Sequence, residues 1–256
     1  FFYYWIGTNI HYDYETLNRL DNNSISNKEF WEKQDEVYVY TNRKAVCAGY
    51  AKLYNWFLDW VDIESIYITG HIRDDRNHFV ELENDDNFRH AWNAIKIDGK
   101  WKLVDSTWGT SYDPIQSEFY FDIKPELAIN THFPENSKWQ LLKKPVTLEE
   151  FNKSKFIKLS WFFIGFSDIP KIKEDNKYYY LVYNSNNVNN NINVKLEISI
   201  NNYEYLPIEN STRIDQDGIT YIRFEKKNIP KKAYYKMHLY QNGYPYYDNV
   251  MSFKTF

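Results

Sequence analysis

The chain of 256 residues contains one cysteine, Cys47, in the stretch AVCAGYAKLYNWFLDW that spans 45–60. A lone thiol cannot form an internal disulfide, so Cys47 is either a small buried residue or a nucleophile. A second stretch, HAWNAIKIDGKWKLVD, supplies a histidine and an aspartate, His90 and Asp105. A thiol, an imidazole and a carboxylate linked by hydrogen bonds can attack a carbonyl carbon and carry the acyl group as a thioester.

The dipeptide Asp98-Gly99 predicts a hairpin that brings His90 and Asp105 together. Asp-Gly is a favoured two-residue turn, and with that turn the numbers of paired residues sum to 197. The predicted pairs are Ile97 with Lys100, Ile95 with Lys102, Trp92 with Asp105, and His90 with Thr107. His90 and Asp105 then share a face as diagonal neighbours, with Cα atoms about 7–8 Å apart. A three-residue turn would place Asp105 on the opposite face.

The apolar positions after Cys47 predict the helix that presents the thiol. Tyr50, Leu53, Phe57 and Trp60 recur at steps of three and four, which is typical of an amphipathic helix of about four turns. A helix N-terminus favours a thiolate and offers N–H donors to an oxyanion. The runs SIYITGHI, HAWNAIKI and KWKLVDSTWG predict strands. We therefore predict an α+β domain over 1–153, in which a helix with an N-terminal cysteine packs on an antiparallel sheet.

The second half of the chain has a different pattern and shows no helix. Five stretches alternate apolar and polar residues between turns rich in Asn, Pro, Gly and Asp: YYYLVYN, NVKLEISI, ITYIRFEK, AYYKMHLYQ and NVMSFKTF. This spacing predicts an all-β domain over 154–256, and favours an immunoglobulin-like sandwich over a barrel although the Cys…Trp…Cys hallmark is absent.

Composition excludes several classes of protein and site. With 31 basic and 35 acidic residues the net charge is −4, which gives no electrostatic basis for binding nucleic acid or an anionic membrane. One cysteine excludes a disulfide scaffold, a CxxC redox site and a cysteine-based zinc cluster. The acidic loops RDDRN and ENDDN lack the EF-hand pattern and are predicted to be solvated. We expect neither a metal nor a cofactor.

The sequence gives little information on location. The longest strongly apolar run, LSWFFIGF from Leu159, is far shorter than a bilayer span, so we expect no transmembrane segment. N-x-S/T patterns at Asn22, Asn152 and Asn210 do not establish secretion in a chain so rich in asparagine. The compartment stays open, with a weak preference for the extracellular space or the cell surface.

Several blocks of the sequence resemble one known family. VCAGYAKLY, from Val46, resembles the nucleophile block of the transglutaminase-like superfamily, whose fold is papain-like, and HAWNAIKIDGKWKLVDSTWG resembles its histidine and aspartate blocks. YYWIGTNIHYDY and HFPENSKWQLL are similar to flanking segments in the branch of kyphoscoliosis peptidases and bacterial transglutaminase-domain proteins. The resemblance covers residues 3 to about 153. It implies that Cys47 is the nucleophile, His90 the base and Asp105 the orienting acid.

Other residues are weaker candidates for the same site. The second oxyanion donor is an upstream side chain in related enzymes, and Tyr12 and Trp5 are the candidates for it. Trp92 and Trp108 adjoin His90 and Asp105 and are candidates for walling the cleft or stacking on a substrate, with core packing as the alternative. Three of the remaining histidines have no partner pattern in the sequence: His11, His132 and His238. The other two, His71 and His78, are predicted to be surface or turn residues.

These observations predict a cysteine-dependent acyl-transfer enzyme that acts on peptide or glutamine-carboxamide carbonyls. Peptidase-like hydrolysis is the favoured reaction, while transglutaminase or protein deamidase activity and a non-catalytic scaffold remain open. The expected partner is a protein or peptide substrate. The tyrosine-rich strands of the second domain are a candidate surface for a protein or cell-surface partner.

Overall fold

A computed structural model describes residues 1–74, 76–83, 88–110, 114–189, 191–230 and 232–255. The chain forms two compact units: Phe1–Ile72 with Leu82–Phe151, and Arg73–Glu81 with Asn152–Phe256. The division at 151/152 lies two residues before the boundary predicted from the sequence. The grouping of 73–81 with the second half was not predicted.

The first unit combines short helices with a small sheet. Its helices are α1 Phe2–Asn9, α2 Tyr14–Asp21, α3 Asn27–Lys33, α4 Glu36–Asn42, α5 Cys47–Asp59, α6 Pro114–Phe121, α7 Pro125–Ala128 and α8 Leu148–Lys153, which runs past the division. Its strands are β1 His11–Tyr12, β2 Lys44–Ala45, β3 Ser65–Ile72, β4 Arg89–Ile97, β5 Lys100–Val104 and β6 His132–Pro134. A 3₁₀ turn follows at Ser137–Gln140. This mixture confirms the α+β class for this half of the chain.

The main sheet of the first unit is antiparallel, in the order β5-β4-β3-β6. The predicted register of the β4–β5 hairpin is confirmed from the Asn93–Val104 pair to the Ile97–Lys100 pair. Both turn residues have positive φ, 51° at Asp98 and 74° at Gly99, as this type of tight turn requires. The hairpin therefore forms for the local reason that the Asp-Gly dipeptide indicates.

Helix α5 forms where the apolar periodicity predicts it and packs on β3 and β4. Tyr50, Leu53 and Phe57 are buried in the core, as expected for one face of an amphipathic helix. The prediction was wrong for Trp60, which is 58 % exposed because the helix ends at Asp59. Its ring lies against Trp56 instead, with centroids 4.3 Å apart.

The second unit is mostly β-structure. Its strands are β7 Phe156–Ile157, β8 Lys171–Glu174, β9 Tyr178–Asn184, β10 Ile192–Ser199, β11 Leu206–Pro207, β12 Thr212–Gln216, β13 Ile219–Glu225, β14 Ala233–Gln241 and β15 Tyr244–Thr255. The five predicted strands are present as β9, β10, β13, β14 and β15. The expectation of no helix was wrong, because the short helix α9 Ser160–Phe163 lies within the apolar run LSWFFIGF, and a 3₁₀ turn spans Lys226–Asn228.

Two antiparallel sheets of the second unit share one apolar core. Their strand orders are β11-β10-β14-β15-β7 and β12-β13-β9-β8. Leu181 and Phe224 from one sheet pack in the same buried cluster as Met237 and Phe253 from the other. Two sheets around one core have the layering of a sandwich, and its assignment to the immunoglobulin-like class stays a prediction.

Arg73 ties the segment 73–81 to the rest of the second unit. Its side chain is buried, and its guanidinium donates to the carbonyl oxygens of Asn152 at 2.9 Å and Ser154 at 3.0 Å. The prediction of a solvated RDDRN loop was therefore wrong for Arg73. Most of the second acidic loop, ENDDN, lies outside the described residues. Within the described part of the chain, every helix is too short or too polar to cross a bilayer.

Candidate active site

Asp105 is fully buried just after β5 and accepts four hydrogen bonds. Its Oδ1 accepts from the backbone N–H groups of Thr107 and Trp108, both at 2.9 Å. Its Oδ2 accepts from Nε2 of His90 at 2.8 Å and from Nε2 of His132 at 3.0 Å. Burial acts to raise the pKa of this carboxyl, but the attraction of His90 and the two imidazole hydrogen bonds lower it well below its usual range. The carboxylate is therefore charged.

His90 lies between this carboxylate and the thiol. It is on β4, is 6 % exposed, forms a hydrogen bond with Asp105, and lies close enough to Cys47 for the thiol to act on its pKa. Since Nε2 faces Asp105, Nδ1 is the nitrogen left for the thiol. Burial acts to lower the pKa of His90, but Asp105 and then Cys47 raise it above its ordinary value. An imidazolium is thus strongly favoured beside these two groups.

Cys47 is half-buried and is the first residue of α5. The N-cap residue, Val46, accepts from the N–H groups of Gly49 at 2.9 Å and Tyr50 at 3.2 Å through its carbonyl oxygen. Its own N–H donates to Oε1 of Gln34 at 3.0 Å, which fixes the start of the helix from outside. The N–H groups of Cys47 and Ala48 precede these first bonds and have no intrahelical acceptor, so the thiol lies beside donors that the helix leaves free.

Two indole rings and the two imidazoles that contact Asp105 pack together. Trp92 is 2 % exposed and stacks on His90 with centroids 6.0 Å apart, whereas Trp108 is half-buried and lies 5.3 Å from His90. His132 meets the edges or faces of both indoles, 5.1 Å from Trp92 and 4.6 Å from Trp108. Trp92 is thus a buried wall, while Trp108 retains some exposed surface; binding of substrate by either stays a prediction.

His132 is the contact residue that the sequence analysis missed. The sequence analysis gave it no partner, yet its Nε2 is hydrogen-bonded to Asp105, which lies 27 positions earlier in the chain. Its Nδ1 is 2.8 Å from the hydroxyl of Thr131, and burial lowers its pKa. The one available signal was the block HFPENSKWQLL, which begins at this residue, although neither spacing nor hairpin register links it to Asp105.

Tyr67, on β3, is a second residue that the sequence did not indicate. Burial, and then the nearby Cys47, raise the pKa of its phenol to about 12. A phenol that stays neutral beside the thiol is a hydrogen-bond donor rather than a competing charge.

The two candidate oxyanion donors lie in different places. Tyr12 packs with the cluster that contains Val46 and Ala48, on either side of the thiol residue, and its role stays a prediction. Trp5 instead contacts Tyr40 and Phe57, at 5.6 and 5.2 Å between centroids. Phe57 is ten positions beyond Cys47 on α5, about 15 Å along the helix axis. These contacts of Trp5 give no support for its role as a donor, which stays a prediction.

Two of the other histidines, His71 and His238, differ from expectation, and His78 agrees with it. His71 is buried on β3, 3.2 Å from Nη1 of Arg89, so its placement at the surface or in a turn was wrong. His78 is in a turn, as predicted, but it is half-buried and stacks on Phe156. His238 does have partners: Nε2 is 3.2 Å from Glu197, and Nδ1 contacts Asp248.

His90, Asp105 and His132 are also the described residues whose donor atoms are grouped closely enough to hold a metal ion, all within 4.8 Å. Their carboxylate–imidazole distances of 2.8 and 3.0 Å are those of direct hydrogen bonds. A metal would have to replace both bonds and remove the protons that make them. We therefore treat the cluster as a hydrogen-bonded network.

Fold and site together define an α+β protein with a cysteine at a helix N-terminus and a histidine–aspartate pair on the adjoining hairpin. Residues 1–106, which contain all three, match the model of the transglutaminase-like superfamily. This match confirms, for residues 1–106, the resemblance to the superfamily that the sequence indicates.

Similarity to known proteins extends beyond the matched domain. Kyphoscoliosis peptidases of Mus musculus and Homo sapiens are each 31 % identical over 166 residues, which is 62 % of this chain and 24 % of theirs. Hillarin of Drosophila melanogaster is 31 % identical over 99 residues, 32 % of this chain and 12 % of its own. The chain thus spans about a quarter of the length of the kyphoscoliosis peptidases.

Proposed function

We propose that the first unit is a cysteine-dependent acyl-transfer enzyme in which Cys47 is the nucleophile, His90 the base and Asp105 the orienting acid. One observation carries the proposal. The imidazole of His90 is held through Nε2 by a buried carboxylate at 2.8 Å, and its pKa responds to the chain's one cysteine, for which Nδ1 remains. This arrangement supports proton transfer between the thiol and the imidazole.

In the proposed reaction, the sulfur of Cys47 attacks the carbonyl carbon of a peptide or glutamine carboxamide after its proton passes to His90. The carbonyl oxygen becomes an oxyanion, for which we propose N–H groups at the start of α5 as donors, with Tyr12 as the proposed second donor. When the C–N bond breaks, the amine or ammonia leaves with the proton of the His90 imidazolium, and an acyl thioester remains on Cys47.

The second half of the reaction decides the kind of enzyme. Water that attacks the thioester completes hydrolysis of a peptide or deamidation of glutamine, whereas a lysine amine completes a cross-link. We favour peptide hydrolysis, because the relatives of greatest aligned length are named peptidases. The proposed substrate is a protein or peptide. We propose the second unit as an immunoglobulin-like module for a protein or cell-surface partner, since Tyr203 and Tyr244 expose most of their surface.

Alkylation by iodoacetamide tests the thiol, and one cysteine makes the labelled site unambiguous. We expect Cys47 to react well below the pH at which a free thiol with a pKa of about 8.5 would react, because an imidazolium stabilises the thiolate. His90→Ala should slow the reaction in neutral solution, and His238→Ala, in the second unit, should not. A thiol that is inert in the native protein would favour the scaffold alternative.

The product is identified by mixing candidate proteins with wild type or with Cys47→Ala. New peptide termini that require Cys47 support hydrolysis, glutamine converted to glutamate supports deamidation, and isopeptide bonds support transglutamination. Reactive Cys47 with none of the three products in any substrate would contradict acyl transfer to these acceptors.

A further inference from the structure

The two imidazoles that contact Asp105 differ in what their second nitrogen does. The free side of His90 faces Cys47, whereas Nδ1 of His132 is 2.8 Å from the hydroxyl of Thr131. We propose that His132 is a positioning residue of this site: it holds the Asp105 carboxylate toward His90 and itself exchanges no proton during the reaction. This inference rests on the proposed function of Cys47, His90 and Asp105.

The contacts of His132 select one tautomer. Asp105 is a charged acceptor, so Nε2 of His132 must carry the proton that it donates at 3.0 Å. Nδ1 is then bare and accepts from Thr131, whose hydroxyl is much closer to it than to its other neighbour, the carbonyl oxygen of Ala128 at 3.5 Å. Burial lowers the pKa of His132, which keeps this single-proton form.

His132 is unsuited to being the base itself. Both of its nitrogens are occupied, it is 3 % exposed, and it lies between Trp92 and Trp108. Its neutral form also leaves His90 as the imidazole at Asp105 that gains a positive charge. Tyr3, whose hydroxyl donates to the carbonyl oxygen of Ser117, and Tyr120 lie within the electrostatic influence of Asp105. Burial, and then the charge of Asp105, raise the pKa of each phenol, so they too stay neutral.

The sheet brings His132 to this position by an unusually close approach of strands. In the ladder between β3 and β6, Ile72 pairs with His132 and Gly70 with Pro134, while Gly70 also pairs with His90 on β4. A Cβ on Gly70 would lie 2.2 Å from the carbonyl oxygen of Phe133. Because Gly70 has no side chain, β6 can lie close to β3 and place His132 beside His90 and Asp105.

The test compares three variants of the full chain by the pH dependence of Cys47 alkylation with iodoacetamide. His132→Leu removes the donor to Asp105, so we expect the alkylation midpoint to rise by about one pH unit and the rate below it to fall about ten-fold. His132→Gln retains an amide donor and should recover most of that rate. Thr131→Val removes the hydroxyl that fixes the tautomer, and should shift the midpoint in the same direction by less.

Histidine ¹⁵N NMR of the wild type supplies a readout that does not depend on the folding of His132→Leu. We expect His132, assigned by its loss in His132→Gln, to have a protonated Nε2 and a bare Nδ1 at neutral pH. The opposite tautomer, or an unchanged alkylation profile in folded His132→Leu, would overturn the proposal and leave the proposed function intact. A wild-type thiol without activation by His90 would overturn both.

Discussion

Each unit contains a histidine–carboxylate cluster, and the two clusters use the same residue types in opposite arrangements. In the first unit, one carboxylate, Asp105, accepts from two imidazoles and has no exposed surface. In the second, one imidazole, His238, lies between two carboxylates, Glu197 and Asp248. The Asp248 side chain is 86 % exposed.

The difference shows what makes such a cluster suitable for chemistry. Nε2 of His238 is 3.2 Å from Glu197, Nδ1 contacts Asp248 and accepts from the N–H group of Asn249, and solvent screens the exposed charge of Asp248. In His90, Nε2 is hydrogen-bonded to a buried carboxylate, and Nδ1 remains available to Cys47. Burial of the acid and a free nitrogen of the base, rather than the presence of His and Asp, distinguish the candidate site.

Replacing one aspartate of each cluster by asparagine should give the largest difference in turnover between the two units. Asp105→Asn keeps the size of the side chain but removes the charge that favours the imidazolium of His90, and comparable changes in hydrolytic triads lower turnover by about 10⁴-fold. Asp248→Asn should change turnover by less than about two-fold, because a solvent-exposed pair contributes little. The measurement is turnover of a peptide identified by terminus mapping. Equal losses in both variants would contradict the comparison.

A smaller effect is expected from the glycine that sets the strand spacing at the first cluster. In Gly70→Ala the new Cβ would clash with the Phe133 carbonyl and, at 2.7 Å, with the ring of Trp92. Relieving such overpacking costs about 1–3 kcal/mol and should displace His132, so we expect weaker stability and slower alkylation of Cys47 together.

Gly99→Ala is the matched control for that variant. Gly99 has φ of 74° and open space around its Cβ position, so alanine there adds only backbone strain, about 1 kcal/mol. Urea unfolding and alkylation rates check both. Gly70→Ala with a wild-type alkylation rate would show that the close approach of β6 is not needed by the site.

The parts of this site that the sequence predicted are those set by local rules. The Asp98-Gly99 turn determines its own hairpin, and the hairpin determines which residues of β4 and β5 share a face. Cys47 begins a helix because the apolar period starts there. Trp60 fits the same period, yet it is exposed because periodicity does not report where a helix ends.

His132 could not be predicted from such rules. Its contact with Asp105 depends on β6 joining the far edge of the sheet at β3, after two intervening helices. No turn or repeat in the sequence specifies that pairing. The short strands β7, β8, β11 and β12 were missed for a related reason, since strands of two to five residues carry too few alternations to detect.

The smallest expected effect is on how the free energy of unfolding depends on pH, and it distinguishes His90 from His132. For His90 the folded-state pKa is raised, so its contribution to stability is complete below about pH 6.5 and is lost as the pH rises toward the folded value. For His132 the folded-state pKa is lowered, so its contribution is complete above about pH 6.5 and is lost as the pH falls. The free energies should therefore change in opposite directions.

Urea unfolding from pH 5 to 9 measures both contributions, as wild type minus His90→Gln and wild type minus His132→Gln. The first difference should fall above about pH 6.5 and the second below it, each by at most about 1.4 kcal/mol per pH unit, the limit for one proton. If both differences fell above that pH, both imidazoles would be cationic in the folded protein. Asp105 would then lie between two cations, and the division of roles between base and positioning residue would be wrong.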